Sequence, residues 1–321
     1  MAGTVVITGA NGSLALGFVQ SLLALYPQHT LIATVRNPLP EKDPNTAQLM
    51  RLISKHPQAK VLVEALDLGR LTDPISAIVC NAATLSLDAG LKFTSDGYEA
   101  TFQVCHLSHY LLVLKLLGSM DPGSGRIIFI GSVTHYPEKP NPLSSLRPEF
   151  PESVDELVRP LPDQPTLVHD RGFQRYGTAK LANVTFVNDL NKRLVADPNL
   201  SQITATAMDP GGLTASRAQA VQKKPVRRLM ATINFFMPVL KYLTTTFRTT
   251  EDAGRDLVAV SVGPEFHGKR GYYIGQKPDA PAAVSENGNE QRRLWEACWK
   301  WAGLSSGETA LLNADADTGR V

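Results

Sequence analysis

Short β-branched runs alternate with helical stretches along most of this chain, and that alternation leaves few architectures open. Thr4–Thr8, Thr30–Val35, Lys60–Leu66, Ala77–Cys80, Arg126–Ile130, Ile203–Met208 and Gly271–Ile274 read as strands. Leu14–Leu25, Thr46–Lys55, Tyr98–Leu117, Tyr176–Leu194 and Glu251–Val262 carry helix signals between them. Strands that each hand over to a helix lie parallel, with the helices packed on both faces of the sheet.

The expected fold class is therefore α/β, a Rossmann-type doubly wound parallel sheet. At 321 residues it fits as a single domain over 1–304 with a tail at 305–321, and the stretch from Glu308 reads as frayed. Two segments break the rhythm. Residues 137–170 hold eight prolines and little periodicity, which marks a long loop or small subdomain inserted before Tyr176. Residues 215–248 start basic and turn apolar, which reads as a lid with an apolar inner face or as a core helix broken by Pro238.

Thr8-Gly9-Ala10-Asn11-Gly12-Ser13 forms a glycine turn between the first strand and its helix. Such a turn lets backbone amides approach a pyrophosphate, which the helix N-terminus stabilises. About 20 residues later an NAD site offers an acid to the ribose, whereas an arginine accommodates a 2′-phosphate. Here the second strand ends in Val35-Arg36-Asn37, so Arg36 favours NADP(H). Downstream, Tyr176 and Lys180 are four residues apart and share one helix face. A cation beside a phenol lowers a pKa that is otherwise about 10, which makes the tyrosine an acid or base near neutral pH. Alone this pair would read as a solvated surface feature. Behind a nucleotide-binding turn it reads as a proton-transfer device beside a hydride carrier.

A net charge of +2 gives no electrostatic footprint for nucleic acid. No run approaches the ~18 apolar residues of a membrane span. Residues 229–240, with Arg227, Arg228 and Lys241 close by, remain a candidate peripheral membrane contact. Cys80, Cys105 and Cys298 lack metal-ligand spacing and read as reduced thiols, so the expected address is cytoplasmic.

With these residues in hand, the chain resembles the short-chain dehydrogenase/reductase family from about Thr4 to Leu304. The motifs are Thr8 to Ala15, Asp67-Leu68, Asn81-Ala82-Ala83, Gly131-Ser132, Tyr176 with Lys180, and Pro210-Gly211-Gly212-Leu213-Thr214. Within the family, Val79 to Ala83, Ile130 to Thr134 and Leu294 to Glu296 look like the protochlorophyllide-reductase and retinol-dehydrogenase-like branch. The resemblance implies that Ser132 hydrogen-bonds the substrate oxygen, Tyr176 exchanges the proton, and Lys180 holds the nicotinamide ribose. It places Gly9, Asn11, Gly12, Ser13 and Leu14 at the pyrophosphate, and Asp67 and Leu68 at the adenine. It sets Asn81 and Ala82 near the adenine ribose, and Pro210, Gly211 and Thr214 at the nicotinamide end. The helices at 98–117 and 176–194 are those the family uses for a homodimer.

Two departures stand out. Cys105 occupies the place of an asparagine that links the lysine to a water path, and a thiol is a weak donor and acceptor, leaving a water or His106 to compensate. Between Leu68 and Ile78 only nine residues remain for a crossover that ordinarily needs a dozen or more. The expected activity is NADPH-dependent interconversion of a carbonyl and an alcohol on a small hydrophobic or polycyclic substrate. The alternative is a catalytically weak NADP-binding protein.

Overall fold

Val5, Val6 and Ile7 have no exposed surface, so β1 (Thr4–Ile7) is covered on both faces, as a central strand of a parallel sheet must be. The computed structural model describes residues 3–64, 74–216, 221–240 and 247–312. Around β1 lie β2 (Thr30–Thr34), β3 (Lys60–Glu64), β4 (Ile75–Cys80), β5 (Arg126–Ile130), β6 (Thr204–Asp209), β9 (Gly271–Ile274) and β10 (Lys277–Pro278). The sheet order is β10-β9-β6-β5-β4-β1-β2-β3, parallel except for the β9–β10 pair. A short parallel pair, β7 (Gly212–Leu213) with β8 (Phe247–Arg248), stands apart. The order reverses between β1 and β4, which is where a doubly wound sheet opens a crevice beyond its strand ends.

One face carries α1 (Ser13–Leu25), α2 (Pro44–Ile53) and α7 (Thr250–Val262). The other carries α3 (Ala100–Phe102), a π turn at Gln103–Leu107, α4 (Ser108–Leu116), α5 (Val168–Ala196) and α8 (Gly288–Trp301). Ala100–Ser119 is long and apolar enough for a membrane span, contrary to the sequence expectation, but 67% of its most apolar window is buried and it serves as a core helix.

Helix α5 starts eight residues before Tyr176, so the inserted segment is shorter than its prolines imply. That segment lies against the outer flank of α5. The Glu149 amide donates to Thr178 Oγ1 at 3.2 Å, Gln174 Nε2 to the Arg147 carbonyl at 2.9 Å, and Trp301 Nε1 of α8 to Asp155 at 3.2 Å. Tyr110, Phe186 and Trp295 stack α4, α5 and α8 together, and the Arg193 guanidinium sits 3.8 Å over the Trp295 ring. The end of the described chain is docked rather than frayed. Leu311 is buried and the Leu312 amide donates to Asp197 at 3.0 Å.

Leu62 on edge strand β3 is 50% exposed, although Val61 and Val63 on the opposite face pack on the core. The crossover that follows it falls outside the described residues, as do Asp67 and Leu68.

The closest helix contact is α1 against α7. A Cβ on Gly254 would lie 2.5 Å from the Gly17 carbonyl carbon, and one on Gly17 would lie 2.5 Å from the Thr250 carbonyl oxygen. Helix propensity alone makes Gly→Ala favourable by about 1 kcal/mol. Overpacking costs about 1–3 kcal/mol, and here the obstruction is backbone on both sides. Gly254→Ala is therefore expected to destabilise the fold, read as a lower urea midpoint at unchanged slope; a raised midpoint would refute this packing.

Candidate active site

At the switch point the glycine turn is held by the loop after β4. The Thr8 hydroxyl oxygen accepts from the Asn81 amide at 2.9 Å and the Ala82 amide at 3.1 Å. Asn81 Nδ2 donates back to the Thr8 and Gly9 carbonyls at 3.0 and 3.2 Å. Gly9 has φ 61°, and a Cβ there would sit 3.2 Å from the Ala82 Cα, so a glycine is required twice over. Gly12 caps α1 without a side-chain hydrogen bond, and the first turn, from Ser13 and Leu14, carries no acid. A helix N-terminus left in this state offers amides and a positive dipole to an anion. These features fit a dinucleotide pyrophosphate.

Arg36 lies two residues beyond the end of β2, is exposed, and makes no ion pair among the described residues. Asp43, an acid seven residues further on, is engaged. It caps α2 through the Asn45 amide at 2.9 Å and accepts from Asn11 Nδ2 at 2.8 Å. Those donors hold its carboxyl below the usual range. Asn11 is thus tied to the protein through Asp43 and Thr46, a link the sequence reading did not include.

Ser132, Tyr176 and Lys180 meet beyond the ends of β5 and β6. Ser132 caps the single turn Val133–His135, accepting from Thr134 Oγ1 at 3.0 Å, and it hydrogen-bonds Tyr176. The Lys180 ammonium is buried, donates to the Ile130 carbonyl at 2.7 Å and lies 5.5 Å from the Tyr176 ring centre. The expected electrostatics do not hold. Tyr176 is half-buried as a residue, yet protein packed around its hydroxyl pushes its pKa up, as do Cys105 and Asp209, and only the Ser132 bond opposes. Burial lowers the Lys180 pKa, with Cys105, Asp209 and Cys80 opposing. The dyad therefore rests with the phenol protonated, because burial outweighs the cation.

Three histidines frame this centre, each neutral because burial lowers its pKa to about 4. His135 donates from Nδ1 to the Ser132 carbonyl at 2.7 Å and accepts at Nε2 from the Ala282 amide at 3.2 Å. His109 donates from Nδ1 to the Cys105 carbonyl at 3.3 Å, which leaves Nε2 to accept from the Thr8 hydroxyl at 2.9 Å. His106 bonds Asn183 at 2.9 Å and Cys298 at 3.4 Å in the core, so both its nitrogens are engaged there. It does not stand in for the missing asparagine. Cys105 exchanges hydrogen bonds with the Thr84 backbone at 3.4 and 3.5 Å, and burial raises its pKa, which makes it a neutral packing thiol.

The turn after β6 brings in Pro210, Gly211 and Thr214. Gly211 has φ 79°, and the Thr214 hydroxyl donates to Asn234 Oδ1 of α6 (Lys224–Leu240) at 2.8 Å. Helix α6 presents apolar residues on both its inner and its outer side. Val226, Met230, Ile233 and Met237 turn inward, whereas Leu229, Phe235 and Phe236 are 55%, 77% and 53% exposed. The inserted segment packs beside α5. With α5 it encloses a cleft of about 150 Å³ lined by Glu99, Glu149, Asp163, Arg171 and Arg175, on the helix face away from Tyr176 and Lys180. Sequence reading gave no role to His109, His135 or Asp209.

Comparison with known proteins gives the same picture. The family description for the AcuH dehydrogenase domain matches residues 216–311. Short-chain dehydrogenase iccH of Talaromyces variabilis is 28% identical, covering 96% of this chain and 98% of its own. Protochlorophyllide reductase B of Hordeum vulgare is 27% identical over 94% of this chain and 79% of its own. In fold, an uncharacterized protein from Mycobacterium paratuberculosis superposes with TM-score 0.61 at 20% identity over 94% of both chains. A short-chain dehydrogenase/reductase from Serratia marcescens gives TM-score 0.52 at 15% identity, over 85% of this chain and 97% of its own. The chain is thus similar, along nearly its whole length, to a short-chain dehydrogenase and to a protochlorophyllide reductase.

Proposed function

We propose that this oxidoreductase uses NADPH to interconvert a carbonyl and an alcohol on a small hydrophobic or polycyclic substrate. The observation that carries this reading is the convergence of Ser132, Tyr176 and Lys180 beside the Gly211 turn. The bound nicotinamide would supply or take up the hydride. Ser132 holds the substrate oxygen, and Tyr176, kept protonated by burial, gives that oxygen its proton during reduction. Lys180, fixed to the Ile130 carbonyl, keeps a positive charge next to the reacting centre. Preference for the phosphorylated cofactor rests on Arg36, which is exposed, and on the engagement of Asp43 elsewhere.

A second reading concerns where the protein works. Leu229, Phe235 and Phe236 project from α6, and Lys223, Lys224, Arg227 and Arg228 are exposed around its first two turns. Neither the first nor the last turn of α6 holds an acid that would offset them. An amphipathic helix with exposed aromatic and basic residues fits an anionic lipid surface, where apolar burial and charge attraction add.

Three outcomes are expected. Tyr176→Phe removes the proton donor and should lower kcat for NADPH-linked reduction of α-tetralone by about 100-fold or more, with NADPH binding retained; full turnover in this variant would end the mechanism. Arg36→Ala should weaken NADPH by about 10- to 100-fold, the equivalent of about 1.5–3 kcal/mol for a hydrogen bond to a charged group, and leave NADH within about threefold. Equal losses for both cofactors would remove Arg36 from the 2′-phosphate. The protein should sediment with phosphatidylserine vesicles and less with phosphatidylcholine ones, and Phe235→Ser with Phe236→Ser should abolish the difference; absence of sedimentation with either dismisses lipid contact.

A further inference from the structure

Asp209 ends β6, one residue before Pro210, and is a carboxylate with 5% of its surface exposed. A buried carboxylate is costly unless its oxygens are satisfied. Here Oδ1 accepts from the Gly211 amide at 2.7 Å, and Oδ2 accepts from the Tyr272 hydroxyl at 3.4 Å. The Val133 amide also bonds it. Burial pushes the Asp209 carboxyl above its usual range, while these three donors and Lys180 oppose that shift and favour the ionised, acceptor-only form. Val133 is the residue after Ser132, and Gly211 is the positive-φ residue of the following turn. One carboxylate thus fastens the serine loop of β5 to the turn after β6. The close packing of Gly131 supports the clamp, since a Cβ there would lie 3.2 Å from the Tyr272 ring and 3.5 Å from the Asp209 amide nitrogen.

We propose that Asp209 is a positioning residue for this reaction, acting through the Ser132 loop and the Lys180–Tyr176 pair to hold the site ready to donate a proton rather than accept one. The proposal rests on the reading of Tyr176 as the proton-exchanging group. Tyr176 is faced by Ser132 from the β5 end, Cys105 from the π turn, Lys180 on its own helix and Asp209 from β6. Asp209 in turn faces Lys180, Tyr272 and, one ring further, Tyr136. A negative charge on Asp209 supports the Lys180 ammonium against burial and opposes a second negative charge on the Tyr176 oxygen. The first effect keeps the lysine charged, and the second keeps the phenol neutral.

The sign of the pH effect follows. Alcohol oxidation needs the phenolate, so its rate rises with pH towards the Tyr176 pKa. Reduction needs the phenol, so its rate falls above that pKa. Neutralising Asp209 lowers the Tyr176 pKa and moves both limbs to lower pH.

The test is the pH dependence of kcat for α-tetralol oxidation with NADP and for α-tetralone reduction with NADPH, in the full chain. Asp209→Asn should move both limbs down by about one unit or more, so that oxidation on the rising limb gains about tenfold while reduction at high pH falls. Tyr272→Phe, which removes one donor and keeps the charge, should leave the limbs in place. Unmoved limbs in Asp209→Asn, or equal losses in both directions at every pH, would overturn the proposal, since a merely structural role gives no gain in oxidation. Asp209→Ser serves the same comparison if the asparagine variant does not fold. Tyr176→Phe separates the two ideas: full turnover in that variant removes the underlying reading, whereas loss of turnover there with unmoved limbs in Asp209→Asn removes the role of Asp209 alone.

Discussion

Lys180 has to keep a charged ammonium inside the protein, and much of the surrounding architecture makes that tolerable. Removing such a group from water costs several kcal/mol unless hydrogen bonds and opposite charge compensate. The Ile130 carbonyl at the end of β5 supplies the hydrogen bond at 2.7 Å. That carbonyl is available because the sheet ladder gives way at this level to the Gly131 amide, which donates to the Met208 carbonyl at 2.8 Å. The lysine is brought there by α5, a helix of 29 residues buried on nearly every side. Aromatic packing of Tyr110, Phe186 and Trp295 fixes the rotation of α5 about its axis. That rotation decides that Tyr176 and Lys180, rather than the Arg175 and Thr178 face, meet Ser132.

The parallel sheet was legible from the alternation of strand and helix signals, and most strands fall within a residue or two of their expected places. Long buried runs such as Arg126–Ile130 have one stable use in a chain of this kind, the interior of a sheet covered on both faces. The pairing of Tyr176 with Lys180 was legible too, because a four-residue helical spacing fixes which side chains share a face. The pKa of Tyr176 was not. Proximity of a cation can be read from spacing, but desolvation depends on everything packed around the hydroxyl, which no local pattern encodes. The fate of the two irregular segments was equally hidden. Prolines announce that residues 137–167 are not regular structure, but which surface they cover is set by partners distant in sequence, such as Thr178 and Trp301. Helix α6 has apolar residues on more than one side, so its composition could not say which side faces inward.

Asp209 shows a different kind of illegibility. In the sequence it is a single acid at the end of a strand, and such acids are ordinarily solvated. Its partners come from Val133, Gly211 and Tyr272, on three separate segments that only the sheet order β9-β6-β5 brings side by side. A residue whose meaning lies in a long-range juxtaposition carries no local signature.

Cys105 completes the argument about charge. The π turn at Gln103–Leu107 persists with a cysteine at its centre, so the backbone bulge does not require an asparagine side chain. The thiol ties this helix to the Thr84 backbone, and so steadies the loop that carries Asn81. Burial keeps that thiol neutral, as it does His109 and His135, so none of these groups places a charge beside the reacting oxygen near neutral pH. What remains next to Tyr176 is Lys180 and Asp209, groups of opposite sign on different segments. Burial decides the protonation state of the tyrosine, and Asp209 from the neighbouring strand acts in the same direction.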